Sequence, residues 1–191
     1  MFDPLTERWP PVYDADELAS TIKDLLASCR LETSFYTPTR GQAEICQGDI
    51  VALPADVPVI DEDGLPSMYE AKPPFWLVIG NTCDFARPVS TVAWTQMVPI
   101  FDVAQWDTLP PPKVEAIKRY ELYRQFYVPP WDNDTSSTCL LAELPMPVTV
   151  HKVALAQHAR VCARMSVHGW VLLHACLVRF LARDDGRHAE D

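Results

Sequence analysis

A thiol and a carboxylate stand next to each other where a short apolar stretch of the sequence ends. In FWLVIGNTCDFAR (residues 75–87), Cys83 and Asp84 follow the apolar run, and Arg87 comes three residues after Asp84. A cysteine thiolate is a nucleophile and a metal ligand, and Arg87 is the nearest basic side chain that would favour the thiolate. If the protein is an enzyme, these three residues are its predicted catalytic group.

The charge of Asp84 argues against a reactive thiol at Cys83. A neighbouring carboxylate raises the pKa of a thiol by like-charge repulsion, which lowers the thiolate population at neutral pH. In the alternative interpretation, Asp84 accepts backbone N–H groups in a turn, and Cys83 is a small apolar side chain. We therefore expect Asn81, Thr82, Cys83, Asp84 and Arg87 to shape a face that binds a ligand or partner, with catalysis as the lesser alternative.

The spacing of the cysteines and histidines does not indicate a metal site. Six cysteines stand singly along the chain, and neither a C-x-x-C pair nor an H-E-x-x-H motif is present. His168 and His174 are six residues apart, so they do not share a helix face as an i, i+4 pair would. A distributed site, for example Cys46, Cys83 and His174, is an alternative, but we expect no metal and no cofactor.

Aromatic and basic side chains are dense in the middle of the chain. Residues 113–127 (KVEAIKRYELYRQFY) are predicted to form a helix that ends before the next proline pair. Tyr123, Tyr127 and Trp131 are therefore predicted partner-contact residues. The alternative is a helix whose aromatic side is core and whose basic side is solvated.

Asp49, after Gly48, is a further predicted binding residue. The alternative role for the Gly48-Asp49 pair is a bulge or a tight bend.

The overall charge is strongly negative. The chain has 26 acidic and 16 basic residues, a net charge of -10, which disfavours nucleic-acid binding because phosphates are repelled. No apolar stretch approaches the roughly 18 residues of a membrane span, and the first residues do not resemble an export signal. We therefore expect a cytoplasmic protein whose cysteines are free thiols and which does not enter a membrane.

Prolines divide the chain into periodic segments, with 18 Pro against 6 Gly. Helices are predicted over residues 14–29 and after a capping Ser166. A long exposed loop is predicted over 54–74. Strands are predicted at 43–53, 75–80, 91–100, 139–144 and 148–153. Because these strands follow one another too closely for β-α-β units, the sequence predicts an α+β fold. It is a small, partly open antiparallel barrel with N-terminal, middle and C-terminal helices.

One domain is predicted over residues 1–183, followed by a polar tail. Its predicted parts are a helical N-terminal extension (1–40), a barrel with the inserted helix 113–127 (43–153), C-terminal helices (154–183) and the tail (184–191). The strands of this domain are expected to form one barrel on which the helices pack.

Three of the predicted strands resemble the MazF/PemK-type toxins. The matching segments are GDIVALP (48–54), PFWLVIGN (74–81) and TQMVPI (95–100). The resemblance implies a small SH3-like barrel that starts on a Gly-Asp strand. The ribonucleases of that family carry an Arg just before the second strand and a Thr or Ser just after the Pro-Ile. This sequence has KPPF (72–75) and Phe101-Asp102 there, so neither catalytic residue carries over.

A second resemblance covers most of residues 43–183. IGNTCDFAR (79–87), QFYVPP (125–130) and ARMSVHGWVLLHACLVRFLAR (163–183) resemble a group of poorly characterised bacterial proteins, often encoded near phage or defence genes. We expect a non-catalytic binding or adaptor protein of a phage-defence, toxin–antitoxin or other mobile-element system that recognises a protein partner. The alternatives are a MazF-like ribonuclease toxin, a Cys83-centred hydrolase, and an immunity-type protein whose acidic surface blocks a basic partner.

Overall fold

The computed structural model describes residues 20, 22–24, 26–27, 35–37, 44–70, 74–103, 109–132 and 139–181. The strands are β1 (Tyr36–Thr37), β2 (Asp49–Ala52), β3 (Val57–Ile60), β4 (Pro66–Tyr69), β5 (Phe75–Val78), β6 (Trp94–Asp102), β7 (Gln125–Val128), β8 (Leu140–Glu143), β9 (Val148–His151) and β10 (Arg160–Met165). The helices with full bounds are α1 (Thr82–Ala86), α2 (Pro111–Lys118), α3 (Lys152–His158) and α4 (Val167–Leu181).

The fold is α+β, and its main sheet is antiparallel and curled into a half-barrel. The strand order is β1-β10-β2-β5-β6-β8-β7, and β9 also pairs with β6. The predicted α+β class and partly open antiparallel barrel are thus confirmed. The described residues of the predicted first helix are helical, and the buried Ile22 contributes to the core.

Strand β6 pairs with three other strands of the main sheet. One edge of β6 pairs with β5, and the other edge pairs with β8 at its C-terminal end and with β9 at its N-terminal end. Between these two pairings the chain passes through residues 144–147, which form a turn that separates β8 from β9. β6 continues across this turn and so joins two partner strands into one sheet.

Both faces of the sheet are covered, which explains why its strands read as continuous apolar runs. Ile50 and Val51 are neighbours on β2, so they point to opposite faces, and both are fully buried. The face of Ile50 packs against the buried side of α4, including Leu172. The face of Val51 packs with Trp76 and with Leu155 of α3.

The last helix follows the sequence prediction closely. The Oγ of Ser166 accepts a hydrogen bond from the backbone N–H of Gly169 at 3.2 Å, as expected of a helix-capping serine. α4 then continues to Leu181, with Leu172, Leu173 and Cys176 buried. No helix in the part of the chain that the structure describes is long and apolar enough to cross a membrane.

The predicted middle helix over 113–127 is wrong in its second half. α2 ends at Lys118, Tyr120 has a positive φ of 55°, and the chain enters β7. Phe126 and Val128 are buried while Gln125 and Tyr127 are half-buried, a period of two that belongs to a strand. The helical prediction failed because this strand pairs with β8, a contact that no local pattern encodes.

Two other segments also differ from their predictions. The predicted loop 54–74 contains the hairpin of β3 and β4. The predicted C-terminal helices 154–183 are interrupted by β10, whose apolar positions are broken up by arginines. β10 lies between β2 and β1, and β1 falls within the predicted helical extension 1–40. The single domain over 1–183 stays a prediction, and the tail 184–191 lies outside the described residues.

Candidate functional site

The polar end of FWLVIGNTCDFAR is a short helix with its own cap. Asn81 precedes α1 in extended conformation, and its Oδ1 accepts a hydrogen bond from the backbone N–H of Cys83 at 2.9 Å. The Asn81 carbonyl accepts from the N–H of Asp84 at 3.0 Å. The turn-forming role expected of Asp84 is therefore filled by Asn81, because an N-cap side chain bonds two residues ahead.

Asp84 and Arg87 interact with each other on the surface of α1. The NH1 of Arg87 lies 3.3 Å from the Oδ1 of Asp84, and both side chains are well exposed. Cys83 is exposed, and among the described residues no hydrogen bond reaches its Sγ. The structure thus places Cys83 and Asp84 in α1 and Arg87 at its C-cap, with Arg87 paired to the carboxylate instead of to the thiol.

A buried lysine holds the C-terminal end of α1. Lys152 is only 7% exposed, and its Nζ donates hydrogen bonds to the carbonyls of Asp84 and Arg87, both at 2.7 Å. Lys152 is the first residue of α3, which His151 caps by accepting from the N–H of Val153. Sequence reasoning missed Lys152, since a single lysine at the end of a predicted strand carries no signal of burial.

The N-terminal end of α1 is linked to α4 through Gln47. The Oγ1 of Thr82 accepts from the Gln47 backbone N–H at 3.1 Å, and the Gln47 Oε1 lies 2.8 Å from the Nε2 of His174. An amide oxygen only accepts, so Nε2 of His174 carries the proton. Trp170 donates to the same Oε1, and burial lowers the pKa of His174. This hydrogen bond accounts for the histidine on the apolar helix.

Within the described residues, no group of three or more His, Cys, Asp and Glu side chains is placed to hold a metal ion. Cys46, Cys83 and His174, the distributed alternative, do not form such a group. Burial raises the pKa of Cys46, which disfavours the thiolate that a metal would need.

Asp49 lies in the protein interior and is fully buried. Its Oδ1 and Oδ2 accept from the Nε and NH2 of Arg164, each at 2.7 Å, and Oδ2 also accepts from the N–H of Cys46 at 2.8 Å. Gly48, with a φ of +86°, turns the chain into β2 just before it. The carboxylate of Asp49 therefore joins β2 to β10 and reaches no surface.

The predicted aromatic contact residues lie elsewhere. Tyr123 is exposed, Tyr127 is half-buried on β7, and the Trp131 ring packs edge-on against Phe75 with centroids 5.1 Å apart. Phe75 is the first residue of β5, whereas α1 follows the last, so the two groups lie at opposite ends of that strand. The structure does not combine the predicted binding residues into one site.

An exposed hairpin within the predicted loop 54–74 carries an apolar and acidic surface. We call residues 56–70 the acidic hairpin; it contains β3, β4, five acidic residues and no basic one. Four large apolar side chains on it are 58–69% exposed: Ile60, Leu65, Met68 and Tyr69. The available signal was the run VPVI-DEDG-LPSMY, a turn sequence between two short apolar segments.

A cavity of about 780 Å³ lies beside α1. Thr82 and Arg87 are the only residues of the predicted site that line it, and the buried Lys152 lines it as well. Cys83 does not line the cavity, although it lies on the same short helix. A nucleophile at Cys83 would therefore act on the open surface and not in this cavity.

Comparison with known proteins finds no family model and no curated protein that matches the chain. The resemblances to the MazF/PemK toxins and to the second bacterial group are therefore neither supported nor contradicted.

Proposed function

We propose that the chain is a non-catalytic binding or adaptor protein of a bacterial phage-defence, toxin–antitoxin or other mobile-element system. It recognises a basic protein partner through the acidic hairpin. The exposure of large apolar side chains on this hairpin, among carboxylates, carries the proposal. The mobile-element setting rests on the second sequence resemblance.

The apolar surface of the hairpin is more than its own two strands can bury. β3 and β4 form a two-stranded sheet apart from the main one, and such a sheet is marginal in water by itself. Its base is anchored by Val57, which is 1% exposed in the core beside Trp76. Met68 and Tyr69 remain about 60% exposed, which is the pattern of an interaction surface and not of a core strand.

The tip of the hairpin is held in shape by its own turn. The Oδ1 of Asp61 accepts from the N–H groups of Asp63 at 3.1 Å and Leu65 at 2.9 Å. Gly64 has a φ of +77°, a conformation that glycine adopts without steric cost. A turn that is ordered before binding lowers the conformational entropy lost when a partner binds.

The charge of the hairpin favours a basic protein over other occupants. Its five acidic residues are Asp56, Asp61, Glu62, Asp63 and Glu70. A second copy of this chain, with a net charge of -10, would be repelled, and so would a nucleic-acid backbone. A partner with lysines or arginines around an apolar patch would complement both features of the surface.

We also propose that the half-barrel is of the SH3-like type seen in MazF/PemK toxins. The antiparallel order β2-β5-β6 and the pairing of β6 with both β8 and β9 support this proposal. The Gly-Asp pair at the start of β2 supports it as well.

The test is co-purification with the product of the adjacent gene, followed by calorimetric titration. The double variant Ile60→Ser/Met68→Ser should weaken binding at least tenfold, since these exposed side chains share one face of the hairpin and burying each contributes about 1.5–3 kcal/mol. The matched control is Leu181→Ser, which removes a still more exposed apolar side chain from α4. Glu62→Lys should weaken the complex and reduce its sensitivity to salt.

Binding that survives both hairpin variants would overturn the proposal. RNA cleavage by the purified chain, abolished by Cys83→Ala, would overturn it too and would favour the enzyme alternatives. Circular dichroism of each variant separates loss of binding from loss of folding.

A further inference from the structure

The cavity beside α1 has apolar walls and a positively charged lining. It lies between residues 44–46, the stretch from α1 to Val89, α3 and the start of β10. Its apolar lining includes Ile45, Phe85, Val89, Leu155 and Val161. Its volume of about 780 Å³ is in the range of small-molecule sites.

The charge of the lining is opposite to that of the protein. Lys152, Arg87 and Arg160 line the cavity against a single carboxylate, that of Glu44, which gives 3 − 1 = +2 in a chain of net charge -10. Including Asp84, which pairs with Arg87 outside the lining, the local charge is still +1. A positive cavity in an acidic protein concentrates small anions.

Lys152 is the most buried basic residue of the cavity lining. Its ammonium group has hydrogen-bond acceptors but no carboxylate partner among the described residues. Two carbonyls accept from its Nζ at 2.7 Å, and an ammonium group has a third N–H to donate. Among the residues that the structure describes, no carboxylate forms an ion pair with Lys152. Carbonyl oxygens satisfy hydrogen bonds but do not neutralise a charge, and a buried unpaired ammonium is costly.

We infer that this cavity binds a small organic anion with an apolar body. The carboxylate or phosphate head neutralises Lys152, and Arg160 contacts it from the rim. The body packs against Phe85 and Leu155. This site contains no residue of the acidic hairpin and needs no protein partner. The inference is therefore independent of the proposed function.

The probe is 8-anilinonaphthalene-1-sulfonate, an anion on an apolar body, titrated into the full chain and followed by fluorescence. Its neutral counterpart, N-phenyl-1-naphthylamine, lacks the sulfonate. Arg160→Gln should weaken binding of the anionic probe about tenfold and leave that of the neutral probe unchanged, because it removes one charge-assisted contact. The matched control is Arg119→Gln, which removes an exposed arginine on another part of the surface.

Competition identifies the head group: octanoate and octyl phosphate each displace the probe if their head group is accepted, whereas octanol does not. Lys152→Met should also weaken binding of the anionic probe. Because this variant can loosen α1, the test rests on Arg160→Gln if Lys152→Met does not fold. Equal binding of both probes, or full binding by Arg160→Gln, would overturn the inference. So would loss of probe binding in Ile60→Ser/Met68→Ser, since the probe would then bind to the hairpin.

Discussion

The side chains of Asp49 and Arg164 form a bidentate ion pair, with Nε–Oδ1 and NH2–Oδ2 distances of 2.7 Å each. The two residues are 115 positions apart in the chain but directly opposite each other in the register of β2 and β10. The Asp49 side chain is fully buried, whereas that of Arg164 is 17% exposed. The guanidinium also donates to the carbonyl of Glu44, so one arginine joins β10 to both β2 and the segment before it.

The first prediction is that Arg164→Met destabilises the protein more than Asp49→Asn does. Removing Arg164 leaves a carboxylate with no exposed surface, and breaking a buried pair in this way costs about 3–5 kcal/mol. Removing the charge of Asp49 leaves an arginine that can turn toward solvent, which costs less. Urea unfolding at pH 7 measures the two differences in the free energy of unfolding.

The control for this pair is Arg119→Met, which breaks an exposed ion pair with Glu121 and should cost less than about 1 kcal/mol. The double variant Asp49→Asn/Arg164→Met should be less destabilised than the sum of the single variants. Additive losses would show that the two side chains do not depend on each other.

The second prediction concerns Gly80, which lies between β5 and α1 and has no room for a side chain. A Cβ at this position would lie 1.9 Å from the Oγ1 of Thr95 and 3.0 Å from the backbone N of Gln96. Gly80→Ala should therefore cost about 1–3 kcal/mol of unfolding free energy, because the strands must move apart. Thermal or urea unfolding measures this loss.

Thr95→Ala should partly rescue Gly80→Ala, since it removes the closest clashing atom. The Thr95 hydroxyl is buried without a hydrogen-bond partner among the described residues, so Thr95→Ala alone should be nearly neutral. If the double variant is as unstable as Gly80→Ala, the clash with the Gln96 backbone dominates instead.

The third prediction is that Cys83 and Cys176 differ strongly in reactivity toward iodoacetamide. Cys83 is exposed, whereas Cys176 is 1% exposed, and burial raises the pKa of Cys176 to about 12. Since the thiolate is the reacting form, Cys176 should label at least about 100 times more slowly at pH 8. Peptide mass spectrometry assigns the label to each cysteine, and 8 M urea should remove the difference. Similar rates in the folded protein would contradict the burial of Cys176.

The fourth prediction is a loss of stability on acidification that depends on His174. Burial lowers its pKa in the folded state below the ordinary value of about 6.5, so the unfolded chain takes up the proton first. The contribution is fully present above pH 6.5 and is lost as the pH falls through the folded-state pKa. Between pH 7 and pH 5, the urea midpoint of His174→Gln should fall less than that of the original chain. The exposed His168→Gln is the control, and an equal decline in both variants would refute the prediction.

The candidate site was only partly accessible to sequence reasoning. Local capping rules predicted a turn after the strand FWLVIG, and the structure places Asn81, Cys83, Asp84 and Arg87 on one short capped helix. The sequence did not predict the role of Lys152, whose Nζ donates hydrogen bonds to the C-terminal end of that helix. Its burial depends on carbonyls 65 and 68 positions away in the chain. No sequence motif marked the cavity or the acidic hairpin as a binding site.

The sequence by itself determined the features that depend on neighbours along the chain. These are the apolar runs of β2, β5 and β6, the capping of α4 by Ser166, and with them the α+β class and the antiparallel sheet. The tertiary structure alone decided that Gln125–Val128 and Arg160–Met165 are strands and that Asp49 is buried against Arg164. It also made the lining of one cavity positive in an acidic protein. The physical reason is that hydrogen-bond pairing between strands, desolvation and charge neutralisation depend on residues far apart in the chain, which local periodicity does not record.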